Sequence, residues 1–241
     1  MPVTPNQKSV IAFDIEVAGL EWEEVDKETR GYLQLRAAEA EEAGRPWHPP
    51  EELKERTGLI LGLGKIVAIG LWKVNEENGA ILLEGSGGWG SFERLPSSKA
   101  FRGSEADLLR EFWKVAKTSD RLVSYNGRGY DGPWLSVRST MLGIEPSQML
   151  VGYRYSVQSH CDLQDVFTFQ GGYREAYTLE YWCRRFGIES PKGKLDGSQV
   201  ARAYRDGRIE DIGEYCLRDT RATAELYRKI SGTLLPLFLK S

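Results

Sequence analysis

Asp14 and Glu16 stand two apart in an apolar run, SVIAFDIEV, over residues 9–17. The run reads as a buried strand, and alternation along a strand puts both carboxylates on one face, with Phe13 and Ile15 on the other. Two ionised carboxylates side by side in apolar surroundings repel each other and resist leaving water. A hard divalent cation, Mg²⁺ or Mn²⁺, relieves both problems because it prefers carboxylate oxygen. Tyr215 and Asp219 lie four apart in a helical stretch and therefore share a face. Asp131 follows the Gly-rich turn NGRGY, where an acid at a helix start also serves as an N-cap.

The elements that must position these residues alternate along the chain. Residues 65–74 and 79–85 read as strands joined at Asn78-Gly79, a hairpin signal. SGGWGSF (86–92) reads as a loop. Ser104 is the N-cap of an amphipathic helix with apolar positions at 108, 109, 112, 113 and 115. A strand is expected over 121–126, a helix over roughly 131–142, and a strand end entering a helix over 160–169. Helices follow over 178–188, 196–207 and 209–230. This alternation gives an α/β or α+β class. Residues 21–57 differ in composition: helix formers run to Ala43, then Gly44, Pro46, Pro49 and Pro50 interrupt them. They read as a helical insertion with a Pro-rich bend and a second short helix, inside one domain spanning 1–241.

Composition removes several classes. The apolar runs are too short for a membrane span, and MPVTPNQKSV lacks the layout of a secretory signal. Three scattered cysteines (Cys161, Cys183, Cys216) give neither a disulfide framework nor a Cys-based zinc site, and two histidines cannot make a histidine-rich one. A cytoplasmic protein with reduced thiols is expected. The 32 basic and 35 acidic residues give a net charge of −3. That balance alone argues against a nucleic-acid partner, but residues 21–57 hold 11 of the acids and 6 of the bases. The rest of the chain is therefore at +2.

FDIEVAGL, NGRGYD and YCLRD, in this order, resemble the three motifs of the DEDD (DnaQ-like) 3′→5′ exonuclease superfamily. The tyrosine in the third places the resemblance among DEDDy enzymes, nearest the stand-alone exonucleases related to the proofreading domain of family B DNA polymerases. YRYS (153–156), HCDLQDVF (160–167) and residues 194–219 extend it over most of the chain outside the acidic insertion. The resemblance implies an RNase H-like α/β fold, a mixed central sheet flanked by helices, and hydrolysis at the 3′ end of single-stranded nucleic acid, DNA rather than RNA. It implies two divalent ions, with Asp14 bridging both, Glu16 and Asp219 completing the first, Asp131 holding the second and Tyr215 orienting the attacking water. It also implies a backbone contact near Gly19 to the terminal 3′-hydroxyl. Leu20 would wedge beside the terminal base or pack the insertion, and Asn126 would fix the turn presenting Asp131. Tyr130 and Trp134 would either stack on bases or belong to the core.

Two features compete. Gly127-x-Gly129-x-x-Gly132 imitates a dinucleotide fingerprint, but no acid ends a second strand about 20 residues on, which disfavours a nucleotide-binding oxidoreductase. His160 with Asp165 imitates a His-form third motif, yet lies outside the long terminal helix, so a structural role is expected; Asp162 reads as a site candidate or a helix cap. A catalytically silent nucleic-acid-binding module on the same fold remains the alternative, against which all five catalytic positions are filled.

Overall fold

The computed structural model describes residues 9–44, 52–153, 155–193 and 195–239. Its centre is a seven-stranded mixed sheet. In chain order the strands are β1 (Val10–Gly19), β2 (Gly64–Lys73), β3 (Gly79–Glu84), β4 (Gly88–Ser91), β5 (Ser98–Gly103), β6 (Arg121–Ser124) and β7 (His160–Asp162). The spatial order is β4-β5-β3-β2-β1-β6-β7. β1 runs antiparallel to β2 and parallel to β6. The eight α-helices among the described residues are α1 (Lys27–Glu42), α2 (Glu105–Thr118), α3 (Asp131–Met141), α4 (Leu163–Phe167), α5 (Leu179–Phe186), α6 (Val200–Arg205), α7 (Ile209–Ile230) and α8 (Leu235–Leu239). None is long and apolar enough to cross a membrane.

Alternation along β1 divides the core. Ile11, Phe13, Ile15 and Val17 pack with Leu108, Phe112 and Trp134 of α2 and α3. Ala12 faces the opposite layer, with Cys216, Leu217 and Ala224 of α7. Asp14 and Glu16 share the parity of Ala12, so they open toward α7. α7 crosses the sheet at Gly70, which pairs with Asp14 across the β1–β2 ladder. A Cβ at Gly70 would sit 2.1 Å from Thr220 Oγ1. The bare backbone there lets α7 come close enough to carry its side chains to Asp14.

Two expectations need correction. The 86–92 loop contains β4, and β5 follows it unannounced. β4 is Gly-rich and forms the sheet edge, where no apolar run is needed, while β5 lies between β4 and β3 with only Ala100 and Phe101 as apolar residues. The insertion's long helix is α1; beyond it residue 52 is in 3₁₀ conformation, a turn follows at 53–55, then the 3₁₀ helix Thr57–Leu59, with no second α-helix in the insertion among the described residues. The Pro-rich bend falls outside the described residues.

Candidate active site

β1 and β6 pair only through Ala12 and Val123, then separate. The crevice opened at the carboxyl ends of these parallel strands is where open α/β sheets bind ligands. The split leaves the Ile15 N–H without a strand partner on that side. It donates instead to Asp131 Oδ1, at 3.0 Å. Asp131 is thus pinned against β1 from the first turn of α3, although 116 residues separate it from Ile15.

The turn before α3 is built to deliver it. Asn126 takes a left-handed φ of 62°. The buried Asp162 carboxylate accepts the N–H groups of Asn126 and Arg128, each at 2.8 Å, and that of Gln164 at the start of α4. A Cβ at Gly127 would lie 2.2 Å from Ser124 Oγ, so glycine is required by close packing rather than by a nucleotide. Asp162 therefore does more than cap α4, and Asn126 is a turn residue.

From the other layer, α7 brings Tyr215, Cys216 and Asp219. The Cys216 thiol donates to the Asp14 carbonyl at 3.5 Å. The ligand atoms of Asp14, Glu16 and Cys216 lie within 4.8 Å of one another. Burial, and then the neighbouring Asp131, Glu16 and Asp219, push the Asp14 carboxyl well above its ordinary range. Burial followed by Asp219 and Asp131 does the same to Glu16. Burial pushes Asp131 up to about 7 against its own backbone hydrogen bonds, and Asp219 up to about 6, opposed by the Tyr215 hydroxyl. Among the described residues no lysine, arginine or histidine pairs with Asp14 or Glu16. Burial and the same acids hold Tyr215 and Cys216 protonated. The Cys216 thiol is spent on the Asp14 carbonyl and four carboxylates supply the other donors, a set that suits a hard divalent cation.

Bulge geometry aims Glu16. The β1–β2 register shifts between Glu16 and Val17, so that Glu16 pairs with Ala68 and Val17 with Ile66. The Ile66 N–H, displaced from regular pairing, donates to Glu105 Oε1 at 2.9 Å. Arg138 clasps Glu105 with two bonds of 2.8 and 2.6 Å. This pair, with Glu105 buried and Arg138 half-buried, links β2 at the bulge, the first turn of α2 and the helix that begins with Asp131. Only the pairing pattern reveals it; in sequence Glu105 is a first-turn acid and Arg138 a helical surface charge.

The other expected residues fall as follows. Gly19 closes β1 opposite Gly64. The Leu20 N–H donates to the Leu63 carbonyl at 3.0 Å, and its own carbonyl accepts Thr57 Oγ1 at 2.7 Å. Only the Leu20 side chain, 36% exposed, is left to meet a ligand. The Tyr130 hydroxyl is tied to the Gly58 carbonyl at 2.8 Å. Trp134 is 1% exposed and offers no face to a base; it is a core residue. His160 is structural. Its Nδ1 donates to the Leu150 carbonyl and its Nε2 accepts from Ser124, each at 2.7 Å, while burial lowers its pKa to about 4.

Comparisons with known proteins agree with this geometry. A DNA polymerase of Desulfurococcus sp. (strain Tok) is 33% identical over 140 residues, 51% of this chain and 18% of that protein. A DNA polymerase of Thermococcus gorgonarius is 31% identical over 140 residues, with the same shares. The chain thus spans less than a fifth of the length of these curated relatives. The family B DNA polymerase structure from Pyrobaculum calidifontis superposes with a TM-score of 0.57 at 19% identity, covering 100% of this chain and 28% of that one. The shared fold is the RNase H-like α/β architecture. Residues 61–234 match the family described as predicted 3′-5′ exonucleases related to the exonuclease domain of PolB, and the chain belongs to that family.

Proposed function

We propose that the protein is a metal-dependent 3′→5′ exonuclease that hydrolyses the terminal phosphodiester of single-stranded nucleic acid, DNA in preference to RNA. The observation that carries this reading is the convergence of Asp14, Glu16, Asp131 and Asp219 with no cation among the described residues to neutralise Asp14 or Glu16. Asp14 would touch both ions, Glu16 and Asp219 would complete one site, and Asp131 would hold the other. Two bound Mg²⁺ or Mn²⁺ ions would supply charge neutralisation at the phosphate, a more acidic attacking water and a stabilised leaving 3′-oxygen. Asp131 can serve only one cation-facing oxygen freely, because Oδ1 already accepts the Ile15 N–H. Tyr215 is kept protonated by burial and by Asp219 and Glu16. It therefore orients water by hydrogen bonding through its hydroxyl, and does not remove the water's proton. His160, neutral and doubly hydrogen-bonded, takes no part.

Strands labelled at the 5′ end test the reading directly. With Mg²⁺ or Mn²⁺ they should shorten stepwise from the 3′ end, with DNA cleaved faster than RNA. EDTA or Asp14→Asn should abolish the ladder. Tight binding without cleavage under all metal conditions would overturn the reading in favour of a silent binding module.

A further inference from the structure

A short segment before and into α5 carries Tyr173, Tyr177 and Tyr181. Tyr173 is 46% exposed and Tyr181 39%. Exposed aromatic faces cost hydration unless something covers them, yet these are held in order. The Tyr177 and Tyr181 rings stack with centroids 4.3 Å apart and planes 18° from parallel. Tyr173 reaches Tyr177 hydroxyl to hydroxyl at 3.4 Å. Beneath them, Trp182 meets Tyr181 edge-on at 5.2 Å and stacks on Phe167 at 4.2 Å. Tyr181 therefore rests on an aromatic base of Tyr177, Trp182 and Phe167, which Tyr173 joins through its hydroxyl.

Two contacts fix this stack beside the carboxylate crevice. The Tyr125 hydroxyl donates to the Tyr177 carbonyl, and Tyr125 directly precedes the turn that delivers Asp131. α5 packs on α7, and its Glu180, next to Tyr181, acts electrostatically on Asp219. Arg174 and Arg185 are exposed on the same segment, and Glu180, beside Tyr181, pairs with Arg184 and Lys192. Flat π-faces with cations at their margin match a nucleotide, which offers a base to stack and a phosphate to pair.

We propose that Tyr173 and Tyr181 form a stacking platform for an unpaired base of the strand whose 3′ end lies among Asp14, Glu16, Asp131 and Asp219; this rests on the exonuclease reading of that site. The platform takes the role that the sequence had offered to Trp134 and Tyr130. It recognises a base face and not a base identity, because every base has a π-face.

The test is oligonucleotide binding in EDTA, which removes turnover, followed by fluorescence anisotropy. Two strands are compared: oligo(dT), and the same backbone with abasic residues near its 3′ end. Tyr181→Ala and Tyr173→Ala should each weaken oligo(dT) binding by roughly 5- to 100-fold. They should leave the weaker abasic strand nearly unaffected, and Tyr181→Phe should bind oligo(dT) like the wild type. Equal losses on both strands, or no loss on oligo(dT), would overturn the platform, as would a wild type that binds neither strand. A wild type that binds but never cleaves, with the variants behaving as stated, would keep the platform and discard the exonuclease reading. Normal cleavage with no discrimination between strands would do the reverse.

Discussion

Glu16 and Glu105 are the same residue type, each 8% exposed, yet their surroundings are opposite. Glu105 has an arginine clasped on it by two hydrogen bonds and a backbone N–H aimed at it. Glu16 has Asp219 and Asp131 as electrostatic neighbours, both raising its pKa. A fold that needs a buried carboxylate for structure provides the counter-charge itself, because an unpaired buried ion costs several kcal/mol. Uncompensated carboxylates gathered in a crevice mark a place where the charge is to come from outside. The two regions are also joined, since the Glu105–Arg138 pair holds the bulge beside Glu16 and the helix that starts at Asp131.

The comparison predicts opposite results from charge removal on the two sides. Asp14→Asn should cost about 10³-fold or more in strand cleavage, the scale of the several kcal/mol that metal ions supply to such a transition state. Without metal the same change should raise stability at pH 8, by about 2–4 °C for each kcal/mol of repulsion relieved. Arg138→Met should do the reverse to the fold, destabilising it by about 3–5 kcal/mol in denaturant unfolding, because Glu105 is left buried without its partner. If Arg138→Met were neutral and Asp14→Asn destabilising, the contrast would be wrong.

Smaller effects sharpen it. Tyr215→Phe removes the orienting hydroxyl and should lower the cleavage rate about 10²-fold while leaving the metal concentration for half-maximal rate unchanged. Acidity gives the mildest readout. Asp131 and Asp219 have folded pKa values of about 7 and about 6, above their unfolded values. The folded state therefore binds more protons than the unfolded one between about pH 4 and pH 7. In EDTA these two groups should make the melting temperature fall as pH rises through that window. A melting temperature that climbed there would contradict the uncompensated cluster, provided the Asp131→Asn, Asp219→Asn double variant climbed less.

Legibility in the sequence followed the range of the interaction. β1 was readable because an apolar run with two acids at even spacing has one sensible strand face. α7 was readable end to end from its 3.6-residue period. Asp131 was reachable through the turn chemistry of Asn126 and Gly127. Glu105 and Arg138 were not, because a partnership 33 residues apart leaves no local pattern. Nor could the sequence separate Trp134 in the core from Tyr181 at the surface, since both sit in amphipathic helices and only tertiary packing decides which ring is covered. Sequence left Leu20 open between wedging beside a base and packing the insertion, because the bonds that hold its backbone to Thr57 and Leu63 span 37 residues or more.

The central claim is that Asp14, Glu16, Asp131 and Asp219 await a divalent cation. Thermal unfolding at pH 8 with increasing Mn²⁺ tests it most directly. The wild type and Arg138→Met should both show a melting temperature that rises with metal, as binding to the folded state requires, and Asp14→Asn should show little or no rise. An unresponsive wild type at millimolar Mn²⁺, or an equal rise in Asp14→Asn, would contradict the account.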